Sequence, residues 1–272
     1  MFELITRTSR RPRPARKGLV PAVMAASVFA ALVTGCSSND SDTATTSTPP
    51  PAELPEGAQL VQESSRTTQT LQSVHLNLVV TNIPNLPVEK VDADVTNQPQ
   101  GSGQAAGSAK VRLKENDPFI ETKFLVVDKT LYSAPDGVSY KPVGDAEKMY
   151  DPGVILDKDK GIANVIAQVQ NPKSEGREKI DGVDVVKVTG TIAGSVIDPI
   201  VPKAGDGVGN LPITLYIKDV APPTTSVAMP STAASTGDGP NLVRAVVTKD
   251  AGNFQVTLSK WGDPVTVAKP GS

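Results

Sequence analysis

The chain has 272 residues, with 27 Lys and Arg against 29 Asp and Glu, a formal charge of −2 that conceals a strong asymmetry. The first 35 residues hold six basic side chains and one acid, so without them 21 basic and 28 acidic groups remain, a net of −7. That balance excludes nucleic acid as a partner, because phosphate neutralisation needs a basic surface, and it argues against purely electrostatic adhesion to anionic headgroups. A single Cys and a single His exclude a disulfide framework and a Cys-rich metal site, and they leave few routes to triad chemistry. No cofactor, no metal site and no catalytic residue is expected.

The chain opens with Arg7, Arg10, Arg11, Arg13, Arg16 and Lys17, followed by an apolar stretch over residues 18–33. A basic region and a short apolar region have the layout of a secretory signal, too short for a comfortable membrane span. Pro12 and Pro14 fit a twin-arginine signal poorly, so general secretion is favoured. The stretch ends in Val33-Thr34-Gly35-Cys36, which resembles the bacterial lipobox. Small residues before Cys36 give the processing enzymes access to the thiol, and the reading is a signal peptide over residues 1–35 with Cys36 as the lipidated residue. Acyl chains at one terminus suffice for stable anchoring, at about 0.8 kcal/mol per buried methylene. The product is therefore expected on the cell membrane, anchored on the outer, periplasmic face. Residues 36–56 are rich in Ser, Thr and Pro and read as a disordered tether, leaving residues 57–272 as one folded domain.

Leu60, Val61, Ser64, Thr67, Thr68 and Leu71 fall at helical spacing and predict an opening helix over residues 58–72. Alternation then predicts strands over residues 74–81, 88–96, 109–113 and 120–126, with short strands at 131–132 and 138–140 around Pro135-Asp136-Gly137. Residues 145–156 predict a helix split or started by Pro152. Ile162, Val165, Ile166 and Val169 give an i, i+3, i+4, i+7 stripe in a helix ended by Asn171-Pro172. Asp181-Gly182 predicts a two-residue hairpin, and its second arm carries Val186 and Val188. A short helix over 194–201 and strands over 211–218, 242–248, 253–260 and 264–268 complete the series. Residues 221–240 form a long Pro/Ser/Thr loop, expected to be mobile. Many antiparallel strands interrupted by a few helices define a single α+β layer fold.

Motifs for chemistry are weak. Gly101-Ser102-Gly103-Gln104-Ala105-Ala106-Gly107 lacks the dinucleotide spacing and reads as a turn. Asp157-Lys158-Asp159-Lys160-Gly161 approaches a calcium loop but lacks its terminal Glu, so its acids are read as capping the next helix. His75 sits on the strand face opposite Leu76 and Leu78 and reads as solvent-facing or structural, and Asp92 and Asp94 read as solvated positions. Trp261 follows a strand as a core or edge anchor.

Leu71-Gln72-Ser73-Val74-His75, Tyr150-Asp151-Pro152, Asp159-Lys160-Gly161, Glu175-Gly176-Arg177 and Thr257-Leu258-Ser259-Lys260-Trp261-Gly262 together resemble the mycobacterial lipoprotein family of LppX, LprA, LprF and LprG. The likeness spans residues 58–270, and residues 91–101 with Asp198-Pro199-Ile200-Val201-Pro202 carry a closer likeness to its LprF branch. The resemblance implies a strongly curved antiparallel half-barrel with helices packed on its concave face around an apolar lipid cavity. It also implies a ligand class, diacylated or triacylated glycolipids of the phosphatidylinositol mannoside or lipoarabinomannan type, carried from the plasma membrane towards the outer envelope without catalysis. Expected cavity-lining residues are Leu76 and Leu78 on one strand, Ala109, Val111 and Leu113 on another, and Phe124 and Val126 on the next. Ile162, Val165 and Ile166 follow on a helix, with Val186 and Val188 beyond the hairpin. An alternative is an envelope sensing or interaction protein whose partner is a membrane sensor kinase or transporter, a role the 221–240 loop would suit.

Overall fold

The computed structural model describes residues 53–99, 103–114, 116–220 and 237–271. The signal, Cys36, most of the tether and most of the 221–240 loop lie outside the described residues.

Among the described residues eleven strands form one antiparallel sheet: β1 (Ser73–Thr81), β2 (Val88–Thr96), β3 (Gln104–Val111), β4 (Ile120–Val127), β5 (Thr130–Ala134), β6 (Lys141–Asp145), β7 (Gln170–Ile180), β8 (Val183–Ala193), β9 (Asn210–Lys218), β10 (Leu242–Lys249) and β11 (Gly252–Ser259). The order β6-β5-β4-β3-β2-β1-β11-β10-β9-β8-β7 is two meanders joined where β1 pairs β11. Edges at β6 and β7 leave it an open, curved half-barrel, the α+β architecture expected. Its inner face is set by pleat alternation. Val74, Leu76, Leu78 and Val80 are buried along β1, and the row through Leu76 continues as Ala93 on β2 and Leu258 on β11.

The helices α1 (Gly57–Gln69), α2 (Ala146–Met149), α3 (Ile162–Ala167) and α4 (Gly194–Ile197) and a 3-10 helix over Pro152–Leu156 supply the second layer. Helix α1 packs on α3 and β7. Its buried residues include Ser64, Ser65 and Thr68, small enough for close approach. The Ser65 hydroxyl donates to the Ala163 carbonyl at 2.8 Å, tying the two helices together.

Several expectations need correction. Residues 104–107, read as part of a turn, begin β3. Small residues suit that strand because Gly107 pairs with Ala93, and a Cβ on Gly107 would run into the Asp92 carbonyl and Ala93. The strand expected at 138–140 is a turn, because the Asp136 carboxylate accepts from the Val138 and Ser139 N–H groups at 3.0 and 2.8 Å; β6 starts only at Lys141. Residues 145–156 are split at Pro152 as expected, into α2 and the 3-10 helix that Pro152 opens, where Asp151 accepts from the Gly153 N–H. Helix α3 ends before Val169 and β7 begins before Pro172, with Asn171 at φ +51° marking the irregularity. Asp157 does not cap α3. It accepts from the Asp159 and Lys160 N–H groups in the preceding turn, and Gly161 is the N-cap. Residues 264–268 make no strand; Val265 and Val267 pack on the outer face against Val127 and Tyr132. The Asp181-Gly182 hairpin is as expected, with φ of +49° and +86°.

Candidate functional site

Helices α3 and α4 meet the inner face of β10 and β11 around a wholly apolar void of about 30 Å³. Helix α3 contributes Ile162 and Val165, and α4 with the turn after it contributes Ile197, Ile200 and Val201. The sheet contributes Leu242, Ala245 and Val247 from β10 and Phe254 and Val256 from β11. Leu242 shares that face with Ala245 because a register shift lies between Leu242 and Arg244. With no polar group in its lining, the space favours hydrocarbon over water.

The cover over this void, residues 194–209, is held by polar contacts at its periphery. The Tyr150 hydroxyl donates to the Ile200 carbonyl at 2.9 Å. Burial first, and then the neighbouring Asp151 charge, push the Tyr150 pKa up, so the hydroxyl remains a donor at neutral pH. The Lys249 ammonium donates to the carbonyls of Ala204 and Asp206 at 2.8 and 3.1 Å. The Asp198 carboxylate accepts from the Gly205 N–H at 2.6 Å, closing the cover on itself.

Of the residues expected to line a cavity, Ile162 and Val165 line this void. Leu76, Leu78, Val126, Ile166, Val186 and Val188 are buried in the same core but packed against neighbours. Phe124 is half-buried against that core, Ala109 is buried on the inner face and Val111 is half-buried at the end of β3. Leu113 is a correction: it is 85% exposed, because β3 ends at Val111 and alternation no longer governs the turn beyond. The eight lining residues from α4, the turn after it, β10 and β11 were not assigned from sequence. The signal for those on β11 was present, since Phe254 and Val256 alternate along a strand that was itself predicted.

The outer face holds the other candidate groups. The His75 imidazole Nδ1 lies 2.8 Å from an Asp94 oxygen, and the Asn77 amide donates to Asp92 at 2.9 Å. Asp92 and Asp94 are therefore members of a hydrogen-bonded row rather than merely solvated. The Trp261 indole donates to the Leu242 carbonyl at 3.1 Å and anchors the end of β11. Among the described residues no three His, Cys, Asp or Glu side chains are grouped to hold a metal ion.

An open antiparallel half-barrel with a helical layer over its apolar face is the architecture of a class of mycobacterial lipoproteins. Residues 56–267 match the profile of the LppX_LprAFG lipoprotein family, and the chain belongs to that family. It is 51% identical over 263 residues to LprF of Mycobacterium tuberculosis, named as a proposed diacylated glycolipid transporter, covering 96% of this chain and 95% of that protein. It is 37% identical over 263 residues to LprG of Mycolicibacterium smegmatis, named as a lipoarabinomannan carrier, covering 96% and 98% respectively. The crystal structure of LprF from Mycobacterium bovis matches with a TM-score of 0.70 at 54% identity, covering 79% of this chain and 97% of that one. LppX from Mycobacterium tuberculosis matches with a TM-score of 0.52 at 23% identity, covering 78% and 97%, a likeness of fold.

Proposed function

We propose that the protein is a lipid-anchored, non-catalytic carrier of acylated glycolipids in the cell envelope. Cys36 holds it on the outer face of the plasma membrane, residues 36–56 act as its tether, and residues 57–272 take diacylated or triacylated glycolipid towards the outer envelope. The cargo is of the phosphatidylinositol mannoside or lipoarabinomannan type. The observation that carries the reading is the wholly apolar void beneath residues 194–209, in a chain half identical to a protein named for glycolipid transport.

A void of about 30 Å³ has room for only a few water-sized molecules, far less than an acyl chain, so loading requires the cover and α3 to move off the sheet. That motion exchanges side-chain contacts for acyl-chain contacts of the same apolar character. Two chains of about 16 carbons would cost roughly 25 kcal/mol to hold in water at about 0.8 kcal/mol per methylene. The opened interior must therefore cover most of their length to compete with a bilayer. Ile162 and Val165 on the moving side, with Leu76, Leu78, Val186 and Val188 on the sheet, are the residues proposed to contact the chains, and the sugar headgroup stays at the mouth.

The test is native mass spectrometry of residues 37–272 secreted from a mycobacterial host, followed by solvent extraction. A near-stoichiometric acylated glycolipid is expected. A folded protein that carries none would make the interior an ordinary packed core.

A further inference from the structure

On the outer face, β3 is the floor of a trough. Its outward side chains there, Ala106 and Ser108, are short, whereas the flanking rows are tall: His75, Asp92 and Asp94 from β1 and β2 on one side, Lys123 and Leu125 from β4 on the other. Tyr140, from the turn before β6, adds an aromatic ring to the second wall. The open space between the walls is about 350 Å³, more than ten times the inner void of about 30 Å³ and within the range of small-molecule sites.

We propose that this trough binds sugar units of a neutral glycan, giving the protein a polysaccharide contact separate from its lipid interior. The two walls differ in the same way as the two aspects of a sugar ring. Leu125 and the Tyr140 ring, each half-buried against the Val127, Tyr132 and Val267 cluster, offer their remaining apolar surface for a C–H face, while Asp92 and Asp94 offer acceptors for hydroxyl donors. Both carboxylates are pre-oriented. One Asp94 oxygen faces His75 Nδ1 at 2.8 Å and Lys260 at 3.8 Å, while Asp92 accepts from Asn77 at 2.9 Å through one oxygen and places the other 3.7 Å from His75 Nε2. The second oxygen of Asp94 is therefore the acceptor best placed for a ligand hydroxyl. Lys123 on the opposite wall and Lys260, 3.8 Å from Asp94, offset the two carboxylates, so the trough holds no excess positive charge to attract an anionic ligand. The engagement of Asp92 and Asp94 with His75 and Asn77 favours hydroxyl recognition over capture of a bare cation, which would compete for the same oxygens. The trough lies on the face opposite the inner void. A glycan seated there is consequently not the headgroup of a lipid held inside, and both can be bound at once. The role that follows is retention of the protein at wall or envelope polysaccharide.

The test uses the full chain in a sugar-free detergent and saturation-transfer-difference NMR with three neutral probes, α-1,6-mannotriose, α-1,5-arabinotriose and maltotriose, against anionic trigalacturonate. Saturation transfer to a neutral trisaccharide, with at least tenfold weaker binding of trigalacturonate, is the expected result. Absence of transfer to all three neutral probes, or equal binding of the anionic one, overturns the proposal. Ser108→Trp fills the trough from a solvent-facing strand position and is expected to weaken binding at least tenfold. Should that variant fail to fold, Tyr140→Ala is expected to weaken binding about fivefold through loss of the aromatic contact. Unchanged binding in a folded variant overturns the assignment to this trough. Lipid retention by native mass spectrometry in the same variants is expected to be unaltered, so failure of the glycan site and failure of the carrier reading give different results.

Discussion

Phe254→Ala separates an acyl-chain site from an ordinary core. Phe254 is 2% exposed, lies beside Val80 of β1 and Val247 of β10 on the inner face, and lines the void. Truncation removes roughly 100 Å³ of side chain, so at about 24 cal/mol per Å³ the cavity contributes about 2.4 kcal/mol, and lost transfer energy brings the total to about 3–5 kcal/mol. For a domain of this size that lowers Tm by roughly 6–20 °C. This full loss is expected in delipidated protein. In loaded protein an acyl chain can follow the retreating ring, and three methylenes entering the enlarged space recover about 2.4 kcal/mol. The loss should then fall to about half or less. Thermal unfolding followed by circular dichroism, on delipidated and reloaded samples of both proteins, measures the difference. Equal losses in the two states would refute the reasoning, because they would place Phe254 in a core the lipid never reaches.

Three further outcomes are expected. Ala109→Trp places an indole on the inner face between Val91 and Thr122 and should abolish lipid co-purification while circular dichroism stays native; normal loading would remove Ala109 from the lining. Tyr150→Phe deletes the hydroxyl that donates to the Ile200 carbonyl, a bond whose loss costs about 1–3 kcal/mol when the carbonyl is left buried. Transfer of fluorescent lipid between vesicles should then accelerate about tenfold, and an unchanged rate would show that the cover is not the gate. In the β5–β6 turn, the Ser139 hydroxyl and then the Val138 and Ser139 N–H groups lower the Asp136 pKa from 3.8 to about 2. A depressed carboxylate stabilises its turn above the unfolded value and loses that contribution as pH falls through the folded one. The Val138 and Ser139 amide resonances should titrate with a midpoint near 2, and a midpoint near 3.8 would contradict the hydrogen-bonded turn.

The fold was legible where one face of a strand is apolar and the other polar. Residues 74–81 and 88–96 carried their boundaries almost unchanged into β1 and β2, because a one-residue slip would turn Val74, Leu76, Leu78 and Val80 towards water. It was illegible where composition misled. Gln104 to Gly107 closes the glycine-rich run that starts at Gly101 but forms strand, since what position 107 requires is the absence of side-chain bulk against Ala93. Leu113 shows the opposite error, alternation carried past the point where pairing stops at Val111. Residues 264–268 have strand-like alternation without a strand, because Val265 and Val267 find their apolar partners on the outer face and need no ladder.

The candidate site was less legible than the fold for a reason of geometry. Its walls come from α3, from α4 and the turn after it, and from β10 and β11, so Ile162 and Phe254 share one void across 92 residues of chain. Periodicity identifies which side of each element is apolar, and it did so for Ile162 and Val165. It does not say which of the apolar sides meet with space left between them, because that depends on the register shift between Leu242 and Arg244 and on how Tyr150 and Lys249 seat the cover. Most of the expected lining, from Leu76 to Val188, is packed core in this state. On the carrier reading the same residues become lining when the cover lifts, and core and site then differ by conformation. The cover is held by peripheral hydrogen bonds, each contributing about 1 kcal/mol net, and by burial of Ile197, Ile200, Val201 and Ala204, and on the carrier reading an acyl chain must replace that apolar contact.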